Sequence, residues 1–573
     1  MSPVALRQRE HALGVLADER LDVLVIGGGI NGAAIARDAA LRGLRVALVE
    51  RDDFAAGTSS RSSRLIHGGL RYLEYGYLHL VFESSRERRL LLELAPHLVR
   101  PLPFTWPVYD GARVPKWKLG AGLFLYDALS LFRNVDRHQS LDRAAVLARE
   151  PGLAPDGLRG GAMYYDASTD DSRLTVANAL GAEAAGAVVV NHAAVRSLYR
   201  TRGELEIGID DLLGGRRLVA RARVAVNATG PWTDSIRRLE DPHVPASVRG
   251  TKGVHIAVPR DRVGNRAAVT ILSPIDGRVM FVLPGGSQTI VGTTDTPTSA
   301  SPEEVRAAES DVDYLLRSVN AFFPTAALER RDVVSAWAGI RPLIASGHGG
   351  GAASASREHS IRWSRGGVLS ITGGKLTTYR AMAAEAVDAV ARQLDGAPKG
   401  CSTDRVSLPG GEIRSLMQEV AEARRYMAAS GGRELVDGRS TPAVGRGTDG
   451  GVSRGASDTP HRLVTAYGSA WRTVWERAER NSTLREIVEP GLPYIMAELV
   501  HGVEREHACT LGDLLVRRTH IAYETPDNGR SAARRVADVV GPLLDWAPDE
   551  TRRQIDAYDR EAARIFGVDS DQR

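Results

Sequence analysis

Residues 21–50 constrain the fold more than any other stretch of the chain. Asp22-Val-Leu-Val-Ile26 reads as a short buried strand. Gly27-Gly-Gly-Ile-Asn-Gly32 comes next as a tight turn that opens a helix, which runs on from Ala33 to Arg42 until Gly43 ends it. Arg45-Val-Ala-Leu-Val49 is a second strand, closed by Glu50. The result is a βαβ unit of about 30 residues, with Gly27, Gly29 and Gly32 at the G-x-G-x-x-G positions. Gly27 permits the sharp turn, Gly29 leaves room for a pyrophosphate against the backbone, and Gly32 lets helix and strand pack closely. Ile30 and Asn31 stand at the helix start, whose free N–H groups and partial positive charge suit phosphate. Glu50 sits where a carboxylate accepts hydrogen bonds from ribose hydroxyls and repels a 2′-phosphate. Glycines alone would mark only a turn; strand, helix and acid together predict FAD or NAD rather than NADP. The position near the N-terminus, and the residues after Glu50, favour FAD.

A chain of 573 residues has room for two to four domains. Its 74 basic and 70 acidic residues leave a net charge of +4, too little at this size to indicate nucleic-acid binding. A pI near 9.0 still suits anionic substrates or lipid headgroups. Cys401 and Cys509 are far apart, so neither a disulfide framework nor metal-ligand spacing is expected, and the chain reads as intracellular. Residues 1–20 are charged and lack the apolar core of a signal peptide. No run of about 18 apolar residues occurs, so no spanning helix is expected, while attachment to a membrane surface stays open.

After Glu50 comes a small, hydroxyl-rich stretch whose Thr58, Ser59, Ser60 and Ser63 are candidate phosphate and flavin donors; its plain reading is an exposed loop. Then His67-Gly-Gly-Leu-Arg71 places a glycine pair between an imidazole and an arginine, which lets backbone at Gly68 approach a planar ring. The run Thr58-Ser-Ser-Arg-Ser-Ser-Arg-Leu-Ile-His-Gly-Gly-Leu-Arg-Tyr-Leu-Glu74 resembles the signature of FAD-dependent glycerol-3-phosphate dehydrogenases of the respiratory, quinone-linked type. Asn227-Ala-Thr-Gly-Pro-Trp232, Lys252-Gly-Val-His255, Ala338-Gly-Ile-Arg-Pro-Leu343 and Gly373-Gly-Lys-Leu-Thr-Thr-Tyr-Arg380 agree with it, in the family's order. The resemblance covers roughly residues 20–400 and resumes near 490–525.

The expected fold class is α/β. It is a Rossmann-like FAD-binding fold with an inserted antiparallel β-rich substrate domain and an α-helical C-terminal domain. The expected order is an N-terminal extension at 1–20, FAD-binding segments at 21–98, 159–235 and 335–399, and a cap or substrate-domain segment at 99–158. A β-rich substrate domain at 236–334 and a helical domain at 400–573 complete it; residues 430–460, rich in Gly, Ser, Arg and Asp, form a loop or disordered insert. Alternating, β-branched runs support the sheet, with Pro284-Gly-Gly as a turn. Residues 116–132 are apolar on almost every face and read as a buried helix or, alternatively, as an interfacial helix on a membrane.

The resemblance implies sn-glycerol 3-phosphate as substrate and its oxidation at the secondary alcohol to dihydroxyacetone phosphate. It further implies a quinone as acceptor and attachment to the inner face of the cell membrane from the cytoplasm; a homodimer is a separate expectation. An oxygen-using glycerol-3-phosphate oxidase, or an amine or amino-acid oxidase of the same broad fold, are the alternatives. Arg71, Arg341 and Lys375 are the cations standing in matching motifs, suited to the phosphate, with Tyr72 adding a hydroxyl. His255 is the first candidate for the base, because an ordinary histidine accepts a proton near neutral pH. His67 is its rival; it also serves to orient the flavin or to attach it covalently. Arg341 is suited to hold developing oxygen charge. Similar flavoproteins touch the adenine near Val195 and the dinucleotide again at Ala228, Thr229 and Gly230. Gly374, Lys375, Leu376 and Thr377 open a helix that can face an anion or the flavin edge. Thr293, Thr294 and Asp295 form a polar turn positioned to close over a substrate.

Overall fold

The computed structural model describes residues 4–344, 359–394, 399–437 and 458–571, without the side chains of Arg71, Glu74, Tyr75 and Asp437. The chain divides into two compact units. The larger takes in residues 13–92, 99–405 and 563–573. It begins with β1 (Arg20–Ile26), α1 (Ile30–Leu41) and β2 (Val46–Val49). β1 pairs in parallel with β2, from Val23↔Val46 to Ile26↔Val49, and on its other side with Arg217–Asn227. The sheet extends past β2 to Val188–Val190, and in the other direction through Val368–Gly373 to His359–Trp363. Helices Asp171–Ala184 and Tyr379–Gln393 pack against α1, and β2 is buried along its length.

Gly32 shows why the glycine spacing matters. A Cβ there would stand 1.8 Å from the Gly27 carbonyl oxygen, which is backbone and cannot swing aside. Gly32→Ala is therefore expected to lower stability by about 1–3 kcal/mol or more through overpacking and to lose the dinucleotide. Thermal unfolding and cofactor absorbance per polypeptide measure both; a variant that keeps its cofactor and its melting temperature contradicts this packing argument.

Among the described residues, the second sheet of this unit has ten strands. Next to one edge of it, β3 (Val248–Pro259) pairs antiparallel with Gln288–Gly292 and, on its other side, with β4 (Ser335–Ile344). Val279–Gly285 and Gln288–Gly292 form the hairpin expected at Pro284-Gly-Gly, with Gly286 at φ +69°. Two segments differ from expectation. Leu158–Thr169 pairs with Val99–Tyr109, and β4 pairs with β3, so residues 158–169 and 335–344 belong to this second sheet and not to the nucleotide-binding segments. An apolar strand carries no local mark of its sheet; pairing partners far along the chain decide it. Val254, Ile256, Val282, Val291, Leu315 and Phe323 form part of one core beneath the sheet.

The helix α2 (Lys116–Leu129) is also not what its composition suggests. Leu119, Leu123, Tyr126 and Asp127 are buried, but Trp117 is 76% and Phe124 61% exposed. A helix buried on every side is therefore excluded. No helix among the described residues is long and apolar enough to cross a membrane.

The second unit takes in residues 1–12, 93–98 and 406–562. Its helices Leu416–Ala429, Thr459–Tyr467, Trp471–Arg480 and Met496–Arg505 enclose a core around Trp471 and Trp475. Most of the expected insert at 430–460, residues 438–457, lies outside the described residues. Cys401 and Cys509 are not joined in a disulfide.

Candidate active site

A cavity of about 550 Å³ opens at the carboxyl ends of β1 and β2, where Ile26, Gly27, Val49 and Glu50 line it. Gly29, Ile30 and Asn31 put the start of α1 on its wall, and Val195, Ala228, Thr229 and Gly230 continue it. Gly27 has φ +106°, and its missing Cβ would lie 2.9 Å from the Ala228 carbonyl oxygen. At Gly29 the space a Cβ would fill meets only Ser59 Oγ, 3.2 Å away. A bare backbone cradle at a helix N-terminus, beside a strand-end carboxylate, fits a dinucleotide.

Glu50 Oε2 accepts from the Gly28 N–H at 2.6 Å, and Oε1 accepts from the Asp52 N–H at 2.8 Å. Burial, and after it the neighbouring Asp52 carboxylate, push its pKa up to about 7. A carboxyl raised above its unfolded value of 4.5 stabilises the fold below that value, and the contribution is lost as pH rises through about 7. Cofactor-free protein is therefore expected to lose stability between pH 5 and 8 on account of Glu50, and Glu50→Gln to remove that loss while weakening the cofactor's hold. Urea midpoints at pH 5 and 8 test this; a wild-type-to-variant difference that is the same at both pH values contradicts it.

The hydroxyl-rich stretch folds as a turn, Thr58–Ser60, so its side chains diverge. Ser59 Oγ accepts from the Ile30 N–H at 2.9 Å, and Thr58 Oγ1 donates to the Ile340 carbonyl at 2.7 Å. Ser60 corrects the expectation: it is 2% exposed, is not on the cavity wall, and donates to the Gly57 carbonyl. Gly68 also stands behind the wall, its N–H donating to Tyr126 Oη at 2.9 Å and Asp166 Oδ1 at 3.1 Å. Thr377 is likewise buried, its hydroxyl bonded to the N–H and carbonyl of His67, which does line the cavity. Gly32 is off the wall for the packing reason given above.

The same cavity is lined by Ser63, Tyr72, His255, Arg341, Gly374, Lys375 and Leu376. Arg341 crosses from β4 to the polar turn: Nη1 meets Asp295 Oδ1 at 3.1 Å, and Nη2 donates to Thr293 Oγ1 at 2.9 Å and the Thr294 carbonyl at 3.2 Å. Lys375 Nζ stands 3.8 Å from the Tyr72 ring centroid, a cation–π contact. The Arg71 side chain lies outside the described residues. His255, on β3, is 2% exposed; Nε2 is 2.8 Å from Ser63 Oγ, and the ring stacks on Trp337 at 5.5 Å and 13°. Burial, and after it the positive charges of Arg341 and Arg64, pushes its pKa down to about 3, so it is not the ordinary histidine expected. It is held neutral, able to accept a proton but a weak base until an anion offsets those charges.

The comparisons with known proteins bear on this geometry. Residues 22–380 match the family described as FAD dependent oxidoreductase. Over 560 residues, 96% of this chain and 89% of the relative, 39% of positions are identical to glycerol-3-phosphate dehydrogenase 2 of Mycobacterium tuberculosis. The chain belongs to the FAD-dependent glycerol-3-phosphate dehydrogenase family. The glycerol-3-phosphate dehydrogenase of Synechocystis is 37% identical over 94% of this chain and 95% of its own. The glycerol-3-phosphate dehydrogenase from Bacillus halodurans, solved in complex with FAD, superposes with a TM-score of 0.77 at 30% identity over 99% of this chain and 98% of its own. FAD is thus the cofactor, and the choice left open by the glycine motif is closed. Residues 401–551 match the C-terminal domain of alpha-glycerophosphate oxidase. Trp232, Glu303 and Arg51 also line the cavity of this dehydrogenase-family chain without having been singled out in the sequence. Trp232 lay at the end of a matching motif, whereas Glu303 carried no local signal.

Proposed function

We propose that the chain oxidises sn-glycerol 3-phosphate to dihydroxyacetone phosphate at the inner face of the cell membrane, with a quinone as final acceptor. Bound FAD supplies the acceptor for the hydride that leaves C2. Arg341 and Lys375, with Arg71 and Tyr72, bind the phosphate dianion; the arginine fork and the lysine point charge offer complementary donors. His255 takes the C2 hydroxyl proton. The arriving dianion offsets Arg341, so substrate itself raises the basicity of the imidazole when it is needed. As negative charge gathers on the C2 oxygen, Arg341 stabilises it. The observation that carries this reading is that Arg341, Lys375, Tyr72 and His255 line the same cavity as the dinucleotide cradle.

The exposed side of α2, with Trp117 and Phe124 outward beside Lys116 and Lys118, supports peripheral contact with a membrane, where quinones reside. The oxygen-using reading is favoured by one finding, the oxidase description of the matched C-terminal domain. Steady-state assays separate the two. Quinone reduction matched to dihydroxyacetone phosphate without oxygen is expected, with little peroxide in air. Peroxide equal to product, and no quinone reduction, would make the chain an oxidase.

A further inference from the structure

One carboxylate joins three distant segments over the Glu50 half of the FAD cavity. Glu303 Oε1 accepts from Arg51 Nη1 at 3.1 Å and also from Trp232 Nε1. The Arg51 guanidinium lies over the Trp232 ring, 5.2 Å from its centroid, and also pairs with Asp52 at 3.0 Å. The indole in turn covers Gly57, where a Cβ would stand 3.0 Å from the ring. All three side chains line the cavity. Arg51 comes directly after the ribose-side Glu50, Trp232 lies just past the Gly230 turn, and Glu303 stands between Thr296–Thr298 and Ala307–Ala308, strands outside the nucleotide-binding sheet.

We infer that Arg51, Trp232 and Glu303 form a strap across the adenosine half of the cleft, with Glu303 as its latch, and that parting this strap limits the release of FAD. A dinucleotide held on one wall alone leaves sideways. Here the nucleotide-binding wall is tied, through a single shared acceptor, to the segment that leaves the ten-stranded sheet after Thr298, so the cofactor's exit requires both donors to let go. The Arg51 and Glu303 side chains are 38% and 39% exposed, which leaves the pair open to screening by salt. The inference rests on the cofactor and is independent of the substrate.

The test is the rate at which flavin fluorescence appears when the holoenzyme is diluted. Glu303→Gln is expected to release FAD about tenfold faster, since one charged acceptor serving two donors is lost. Trp232→Phe, which keeps an aromatic ring but removes the N–H, should shift the rate in the same direction by less. Glu304→Gln removes the same charge from the neighbouring exposed residue, which does not line the cavity, and should leave the rate at the wild-type value. Raising salt should hasten release from wild type and have little effect on Glu303→Gln. A wild-type rate in Glu303→Gln overturns the inference, and so does an equal rise in Glu303→Gln and Glu304→Gln, which would make net charge and not the latch responsible. Failure to turn over glycerol 3-phosphate would count against the proposed function and leave these release rates unaffected.

Discussion

Replacing His255 by asparagine is expected to lower kcat about 10²- to 10⁴-fold with FAD still bound, the usual scale for loss of a positioned proton acceptor. The pH profile makes the test specific. Burial with Arg341 and Arg64 close by holds the His255 pKa near 3, so kcat/KM, which reports the free enzyme, should show no acid limb from this group between pH 5 and 8. An ordinary histidine would put that limb near 6.5. Linkage gives a second readout. A histidine whose folded pKa lies below its unfolded value of 6.5 contributes stability that is present above 6.5 and lost as pH falls towards 3. The asparagine variant should lose less stability than wild type between pH 7 and 5. Near-normal turnover in His255→Asn would pass the role of base to His67.

Arg341→Ala is expected to cut kcat/KM by about 10- to 100-fold, the loss of one charge-assisted partner of the substrate, while the flavin spectrum stays intact. Removing the guanidinium also removes a positive charge that depresses His255, so an acid limb should move up towards the pH range of the assay. Arg341→Lys should keep the charge but lose the fork that now spans Asp295, Thr293 and the Thr294 carbonyl, and fall between the two. Normal kcat/KM in the alanine variant would remove Arg341 from the site.

What sequence showed and what it hid divide along physical lines. The opening βαβ unit was legible because its signals are local: apolar runs, glycine spacing and a strand-end acid all lie within 21–50. The Pro284 hairpin was legible for the same reason. Sheet membership of 158–169 and 335–344 was not, because it is settled by pairing with strands elsewhere in the chain. The exposed side of α2 was hidden because composition records how apolar a helix is, not which side its neighbours cover. Ser60, Gly68 and Thr377 stood in the right motifs yet face away from the cavity, since a turn sends adjacent residues in different directions. The low pKa of His255 depends first on burial and then on two arginines, all of them brought about by the fold. Glu303 meets Arg51 across 252 residues and Trp232 across 71, a contact that no local pattern announces.

The most direct test of the proposed chemistry is an anaerobic one. The purified holoenzyme is mixed with sn-glycerol 3-phosphate in the absence of oxygen while the flavin band is monitored. Prompt bleaching, matched by dihydroxyacetone phosphate equal to the flavin reduced, is the predicted result. A flavin band that glycerol 3-phosphate leaves unchanged, but that an amine or amino acid bleaches, would contradict the proposed reaction.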